Sequence, residues 1–180
     1  NGKKVPGYKY RIVKISNSGN TTKDYAVDLG KSYINSADLK INTQSNNVIC
    51  SGFYNDQDNE VLKGLFYFEI DNSGAVVRKN NKDFPQEFVE EFKKNKGTKK
   101  DKKNNDDDDL GLAKSFRIDN IHARPDGGAY LISEFYQLVI TTSSKGYTTY
   151  HYYSNDIIVV NIGVDGTIDW FHRIPKRQHE

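Results

Sequence analysis

Runs in which apolar or aromatic residues crowd every second position, each closed by a glycine turn, recur along the chain and predict short antiparallel strands. Three closures read alike: Lys14-Ile15-Ser16-Asn17-Ser18-Gly19, Glu69-Ile70-Asp71-Asn72-Ser73-Gly74 and Asn161-Ile162-Gly163-Val164-Asp165-Gly166. An Asn or Asp one or two places before glycine suits a type I turn whose last residue is left-handed. Gly19, Gly74 and Gly166 are assigned that position because glycine adopts it without steric cost. Upstream of the turns, Leu39-Lys40-Ile41 through Gly52-Phe53-Tyr54 aligns without a gap on Ile121-His122-Ala123 through Glu134-Phe135-Tyr136, since 121 − 39 and 136 − 54 both give 82. Such self-similarity predicts units that bury their apolar faces by stacking on copies of themselves.

This pattern divides the chain into a partial unit at 1–35, a full unit at 36–79, an insert at 80–115 and a second full unit at 116–180. The partial unit is a hairpin within Lys9 to Val27. In the insert, Phe88, Val89 and Phe92 have helical spacing after Pro85, which predicts a short amphipathic helix. The run from Lys96 to Asp109 has no apolar residue and predicts a mobile charged loop. In the second unit the turn glycines Gly74 and Gly166 lie 92 residues apart where the other markers give 82, so ten extra residues form a protruding hairpin. Its strands are read as Leu138–Thr142 and Tyr147–Tyr153. Thr167 to Ile174 reads as an outer strand, with Trp170 packed between neighbouring units.

Composition narrows the function classes. Only 36% of the 180 residues are hydrophobic, and much of the shortage falls in the charged insert. A net charge of +2, from 26 basic and 24 acidic side chains, gives no electrostatic case for nucleic acid or an anionic membrane. No apolar run reaches the length of a membrane span, and no signal-peptide pattern opens the chain. The chain begins at Asn1 and contains no methionine, so it reads as a mature or truncated product. The single cysteine, Cys50, excludes an intramolecular disulfide and reads as a buried, inert thiol.

Residues with catalytic chemistry are scattered. His122, His151, His172 and His179 form no HExxH or Cys-His arrangement, and no G-x-S-x-G elbow occurs, so no catalytic residue is assigned. Asp106 to Asp109 lack the spacing and glycine of a calcium loop, and Asp56, Asp58, Asn59 and Glu60 read as a turn in which side chains satisfy backbone amides. No metal and no cofactor is expected. Tyr147, Tyr150, Tyr152 and Tyr153 on the predicted protrusion are the residues assigned to ligand or partner binding, because aromatic faces with polar edges suit protein and carbohydrate surfaces.

Pro125-Asp126-Gly127-Gly128-Ala129-Tyr130-Leu131-Ile132-Ser133, followed by Asn155-Asp156-Ile157-Ile158-Val159-Val160-Asn161-Ile162 and Asp165-Gly166-Thr167-Ile168-Asp169-Trp170, resembles the repeat of secreted and cell-envelope bacterial β-propellers. The resemblance covers the second unit best, the first moderately and the opening hairpin weakly. It implies an all-β fold of antiparallel, radial four-stranded blades, about two and a half of them here, with one short inserted helix. It also implies an exported protein, in the periplasm, at the outer-membrane surface or outside the cell. The function expected is a non-catalytic scaffold or interaction module whose partners are proteins, either other blades or an envelope complex, with a glycan as a further ligand class. The alternatives are a propeller-type glycan-active enzyme fragment and a subunit of a larger envelope assembly.

Overall fold

The structure is a computed structural model and describes residues 10–56, 61–94 and 115–180. It is mostly β. A two-stranded hairpin, β1 (Tyr10–Ile15) and β2 (Thr21–Val27), is followed by β3 (Tyr33–Ile41), β4 (Val48–Asn55), β5 (Gly64–Ile70) and β6 (Val76–Asp83), then helix α1 (Gln86–Lys94), then β7 (Phe116–Ala123), β8 (Ala129–Thr142), β9 (Thr148–Ile162) and β10 (Ile168–His179). The last eight strands form two antiparallel four-stranded meanders in the orders β3-β4-β5-β6 and β7-β8-β9-β10. The first meander therefore extends beyond the expected 36–79, and residues 80–83, assigned to the insert, complete its outer strand. The charged run from Lys96 to Asp109 and the residues Asp58, Asn59 and Glu60 lie outside the described residues.

Pairing registers place the three pieces in correspondence. Ile15 faces Thr21, Ile70 faces Val76 and Ile162 faces Ile168, and each pair is followed by the same bulge, with Lys14 on Lys23, Glu69 on Arg78 and Asn161 on Trp170. Gly19, Gly74 and Gly166 close these hairpins with φ of 84°, 97° and 84°. The hairpin β1–β2 thus occupies the place of β5–β6 and β9–β10.

The gapless alignment of the inner strands needs one correction. Leu39 pairs with Cys50 as Ile121 pairs with Leu131, yet Val48 pairs with Ile70 as Ala129 pairs with Ile162, so β4 and β8 are displaced by one residue from the sequence match. The cause is the β3–β4 turn at 42–47, which is one residue longer than its counterpart at 124–128 and holds Asn46 at a φ of 58°. A one-residue slip moves every side chain to the other face of a strand. Tyr54 therefore corresponds to Phe135 and not to Tyr136.

With this register the layers stack head to tail. Tyr10 and Ile12 of the hairpin pack on a cluster formed by Val27, Cys50, Tyr54, Phe66 and Phe68, with Ile34. The corresponding residues of the second sheet, Phe116, Leu131, Phe135, Ile158 and Val160, face the first sheet, where they meet Ile49, Phe53, Leu65 and Tyr67. Each layer turns the same face to the one before it. The glycine turns join in, since the Tyr25 ring lies against Gly74 and the Tyr67 ring against Gly166.

Helix α1 seals one edge of the interface between the sheets. Phe84, Phe88 and Phe92 fall on one face and continue an aromatic row, with Phe84 4.9 Å from Phe171 and Phe92 5.7 Å from Phe116. Arg173 of β10 fastens the helix: it donates to the Glu91 carbonyl at 2.6 Å and to Asp156 at 2.7 Å, while its guanidinium lies 4.7 Å from the centre of the Phe92 ring.

Candidate interaction surface

The outer face of the second sheet is an apolar surface that the stack leaves open. By strand alternation Tyr130, Ile132, Ile157 and Val159 stand on it, and none is buried. From β10, Trp170 and Ile174 add side chains that are 45% and 43% exposed. Trp170 was expected between neighbouring units, and it stands instead at the solvent face, 6.4 Å from the Tyr130 ring. Several polar groups on this face are paired. Arg124 lies 5.0 Å from the Tyr130 ring centre and donates to Asn161, which donates to Asp169 at 2.8 Å, and Lys176 bonds Glu134.

The protrusion extends the same face. β8 and β9 continue past the sheet as a two-stranded ribbon in which Leu138 faces Tyr152 and Ile140 faces Tyr150, and all four are exposed. Alternation along β8 puts Leu138 and Ile140 on the side of Tyr130 and Ile132. At the base, Tyr136, Tyr152, Ser154, Gln178 and Glu180 line an open cavity of about 300 Å³, and Arg117 covers the Tyr136 ring at 4.0 Å.

The four tyrosines singled out in the sequence are thus not one cluster. Tyr150 and Tyr152 share the open face, and Tyr147 sits at the ribbon tip, 73% exposed, beside the turn that Gly146 closes with a φ of 82°. Tyr153 points to the reverse side, where its ring stacks on His179 at 4.5 Å, and His151 Nδ1 lies 3.2 Å from His179 Nε2. Leu138, Ile140, Ile132 and Ile174 belong to the surface and were missed. Their signal was available in the alternation of β8, where Tyr130, Ile132, Tyr136, Leu138 and Ile140 share one face, interrupted by Glu134.

The remaining candidates fall apart in space. His122 and His172 are exposed on β7 and β10. Asp56 pairs with Lys63 at 3.1 Å. Cys50 is buried, and burial, with Asp38 nearby, pushes its thiol up to about 12, which removes its nucleophilic form at neutral pH. Among the described residues no group of three or more His, Cys, Asp or Glu could hold a metal ion, and no helix is long and apolar enough to cross a membrane. This surface can exclude water from an apolar partner.

No protein-family profile, curated protein or solved structure matches this chain.

Proposed function

We propose that the chain is a section of a β-propeller-type array of an exported or envelope-associated bacterial protein, and that it acts as a non-catalytic scaffold for protein partners. One observation carries the reading: three successive layers meet at two interfaces, and in both the later layer presents the same face to the one before it, by matched register, as radial repeats do. In such an array a further four-stranded unit covers the open face of the second sheet, and the β8–β9 ribbon, with Tyr150 and Tyr152, reaches beyond that unit as the contact arm. The compartment rests on the sequence resemblance.

Trp170 supplies the test, because it is the chain's sole tryptophan and stands on the face in question. Acrylamide should quench its fluorescence readily in the isolated chain and several-fold less in the native particle, with a blue-shifted emission. Equal quenching in both, or a native particle of 20.6 kDa, would reject the reading.

A further inference from the structure

The reverse side of the β8–β9 ribbon brings two imidazoles together. His151 and Tyr153 alternate along β9 onto that side, and β10 ends with His179 paired to Tyr153, so the His179 ring reaches diagonally to His151. His151 Nδ1 lies 3.2 Å from His179 Nε2, and the two rings are inclined by only 20°. Backbone bonds hold the strands beside this contact, because the amides of Tyr152 and Glu180 each donate to the other's carbonyl, at 2.9 and 3.0 Å. His151 is half-buried and His179 is exposed.

A contact of this kind has room for one proton between the two nitrogens, and its spacing also suits a metal ion. Two imidazole nitrogens that are each about 2.0–2.1 Å from a zinc ion, at a near-tetrahedral angle, stand roughly 3.3 Å apart. The pair is already at 3.2 Å. Thr141 selects the ligand atom on one ring: His151 Nε2 lies 3.3 Å from the Thr141 hydroxyl, and donating its proton there leaves Nδ1 with a lone pair on the side of His179. On the other ring Tyr153 stacks at 4.5 Å and 9°, and an aromatic face favours an imidazole made electron-poor by a bound cation. Alternation also puts Arg177 on this side of β10, where it is exposed to water that screens its charge.

We propose that His151 and His179 form a two-imidazole chelate for a divalent transition-metal ion of the zinc type. The ion replaces the contact between His151 Nδ1 and His179 Nε2, and His179 then carries its proton on Nδ1. Imidazole nitrogen suits zinc, copper and nickel. Among the described residues no third His, Cys, Asp or Glu joins the pair, so water completes the coordination shell and binding is readily reversible, unlike that of a closed structural site. The ion clips the last residue of β10 to β9 at the point where β9 runs on into the ribbon, and so stiffens the root of the arm. The site lies on the side away from the open apolar face and is the same whether or not a further unit covers that face.

The experiment titrates Zn2+ into the 180-residue chain at neutral pH and follows the ring nitrogens of all four histidines by NMR, with His122 and His172, exposed on β7 and β10, as internal references. His151 and His179 should saturate together, with an affinity at least about tenfold above that of the reference rings, because the second ligand is held at high effective concentration. His151→Gln and His179→Gln should each lower the affinity of the remaining ring to that of the references. In the native chain Zn2+ should also slow amide exchange at Tyr152 and Glu180 about tenfold and leave β4 and β5 unchanged, a readout that does not depend on how a variant folds. Four similar weak affinities would mean an adventitious ion only and would overturn the proposal, as would binding at one ring of the pair that survives loss of the other. Joint saturation with unchanged exchange at Tyr152 and Glu180 would reject the ion as a clip between β9 and β10.

Discussion

The face that the first sheet turns to the second, and the face that the second turns to solvent, are built at the same register positions and carry different chemistry. In the closed one, Ile49, Leu65 and Tyr67 are sealed, and the outer strand contributes Arg78, whose stem lies against Gly166 while its guanidinium bonds Glu69, and Lys82, whose charged end reaches the neighbouring layer. Lys82 donates to the carbonyls of Ile168 and Asp169 at 2.7 and 3.0 Å. In the open one, Tyr130, Ile157 and Val159 stand at the inner places, and Trp170 and Ile174 replace Arg78 and Lys82. The exposed face is thus more apolar at its rim than the buried one. Solvation alone selects the reverse pattern, with polar residues where water is met. On the reading proposed above, this surface is a contact.

The largest expected effect tests whether the closed face is the core of the stack. Phe53→Ala removes a ring that is 0% exposed and should cost about 3–5 kcal/mol, as should Leu131→Ala opposite it at about 2–5 kcal/mol. Tyr130→Ala, at the open counterpart of Ile49, should cost below about 1 kcal/mol in the isolated chain. Urea unfolding with a constant slope measures all three, and equal losses at Phe53 and Tyr130 would erase the distinction between the faces.

Next in size is the buried carboxylate of the closed face. Glu69 is 0% exposed and accepts from Asn47 at 2.7 Å, from the Tyr67 hydroxyl at 3.1 Å and from Arg78. Tyr67 is accordingly held in its protonated form, since burial first and the Glu69 charge second both push the phenol up. Glu69→Ala leaves a buried hydroxyl and a guanidinium without their acceptor and should cost about 3 kcal/mol. At the open face Asn161→Ala breaks bonds to the Arg124 guanidinium and the Asp169 carboxylate, both of which still reach water, and should cost about 1.5 kcal/mol.

The glycine turns give a finer version of the same contrast. Gly19 and Gly74 both have positive φ, but a Cβ on Gly19 meets nothing within 4 Å whereas one on Gly74 would lie 2.4 Å from the Tyr25 ring. Gly19→Ala should cost only the left-handed strain of about 1–2 kcal/mol, and Gly74→Ala should add about 1 kcal/mol or more because the ring of the preceding layer must move. Equal thermal shifts in the two variants would argue that Tyr25 does not rest on that turn.

How far the sequence carries the fold follows from these residues. The turns at Gly74 and Gly166 and the helix at Phe88 and Phe92 are local features, set by φ and by 3.6-residue spacing, and both are readable along the chain. The inner-strand register is not, because one extra residue in the 42–47 turn leaves the letters aligned while reversing the faces, so that Phe53-Tyr54 looks like Phe135-Tyr136 and packs unlike it. Burial of Trp170 could not be read either, because indole in an outer strand is equally compatible with a neighbour and with none. The tyrosine group was found by composition, but composition does not alternate. Only the pairing of Tyr150 and Tyr152 with Ile140 and Leu138 separates the open face from the reverse side that Tyr153 shares with His179.

The smallest effect compares the turns with one another through pH. Asp71 Oδ1 accepts from the Ser73 hydroxyl and from the amides of Ser73, Gly74 and Ala75 at 2.8, 2.9 and 2.9 Å, and these bonds hold its carboxyl below the usual range. Asp165 is lowered in the same way by the Thr167 hydroxyl and amide. A carboxyl whose folded pKa lies below its unfolded value, about 3.9, contributes stability that is present above that value and fades as pH falls through the folded one. The β1–β2 turn has Ser16 where the first sheet has Asp71, and Ser16 Oγ accepts from the Asn20 amide at 3.2 Å without a charge to lose. Acidification from about pH 5 to pH 2 should therefore lower the protection of the Gly74 and Gly166 amides, measured as exchange relative to an unstructured amide at the same pH, and leave that of Gly19 nearly unchanged. Asp71→Asn should flatten the response at Gly74 alone. A uniform loss of protection at all three glycines would mean that the layers loosen together in acid, and that the turns do not titrate independently of the stack.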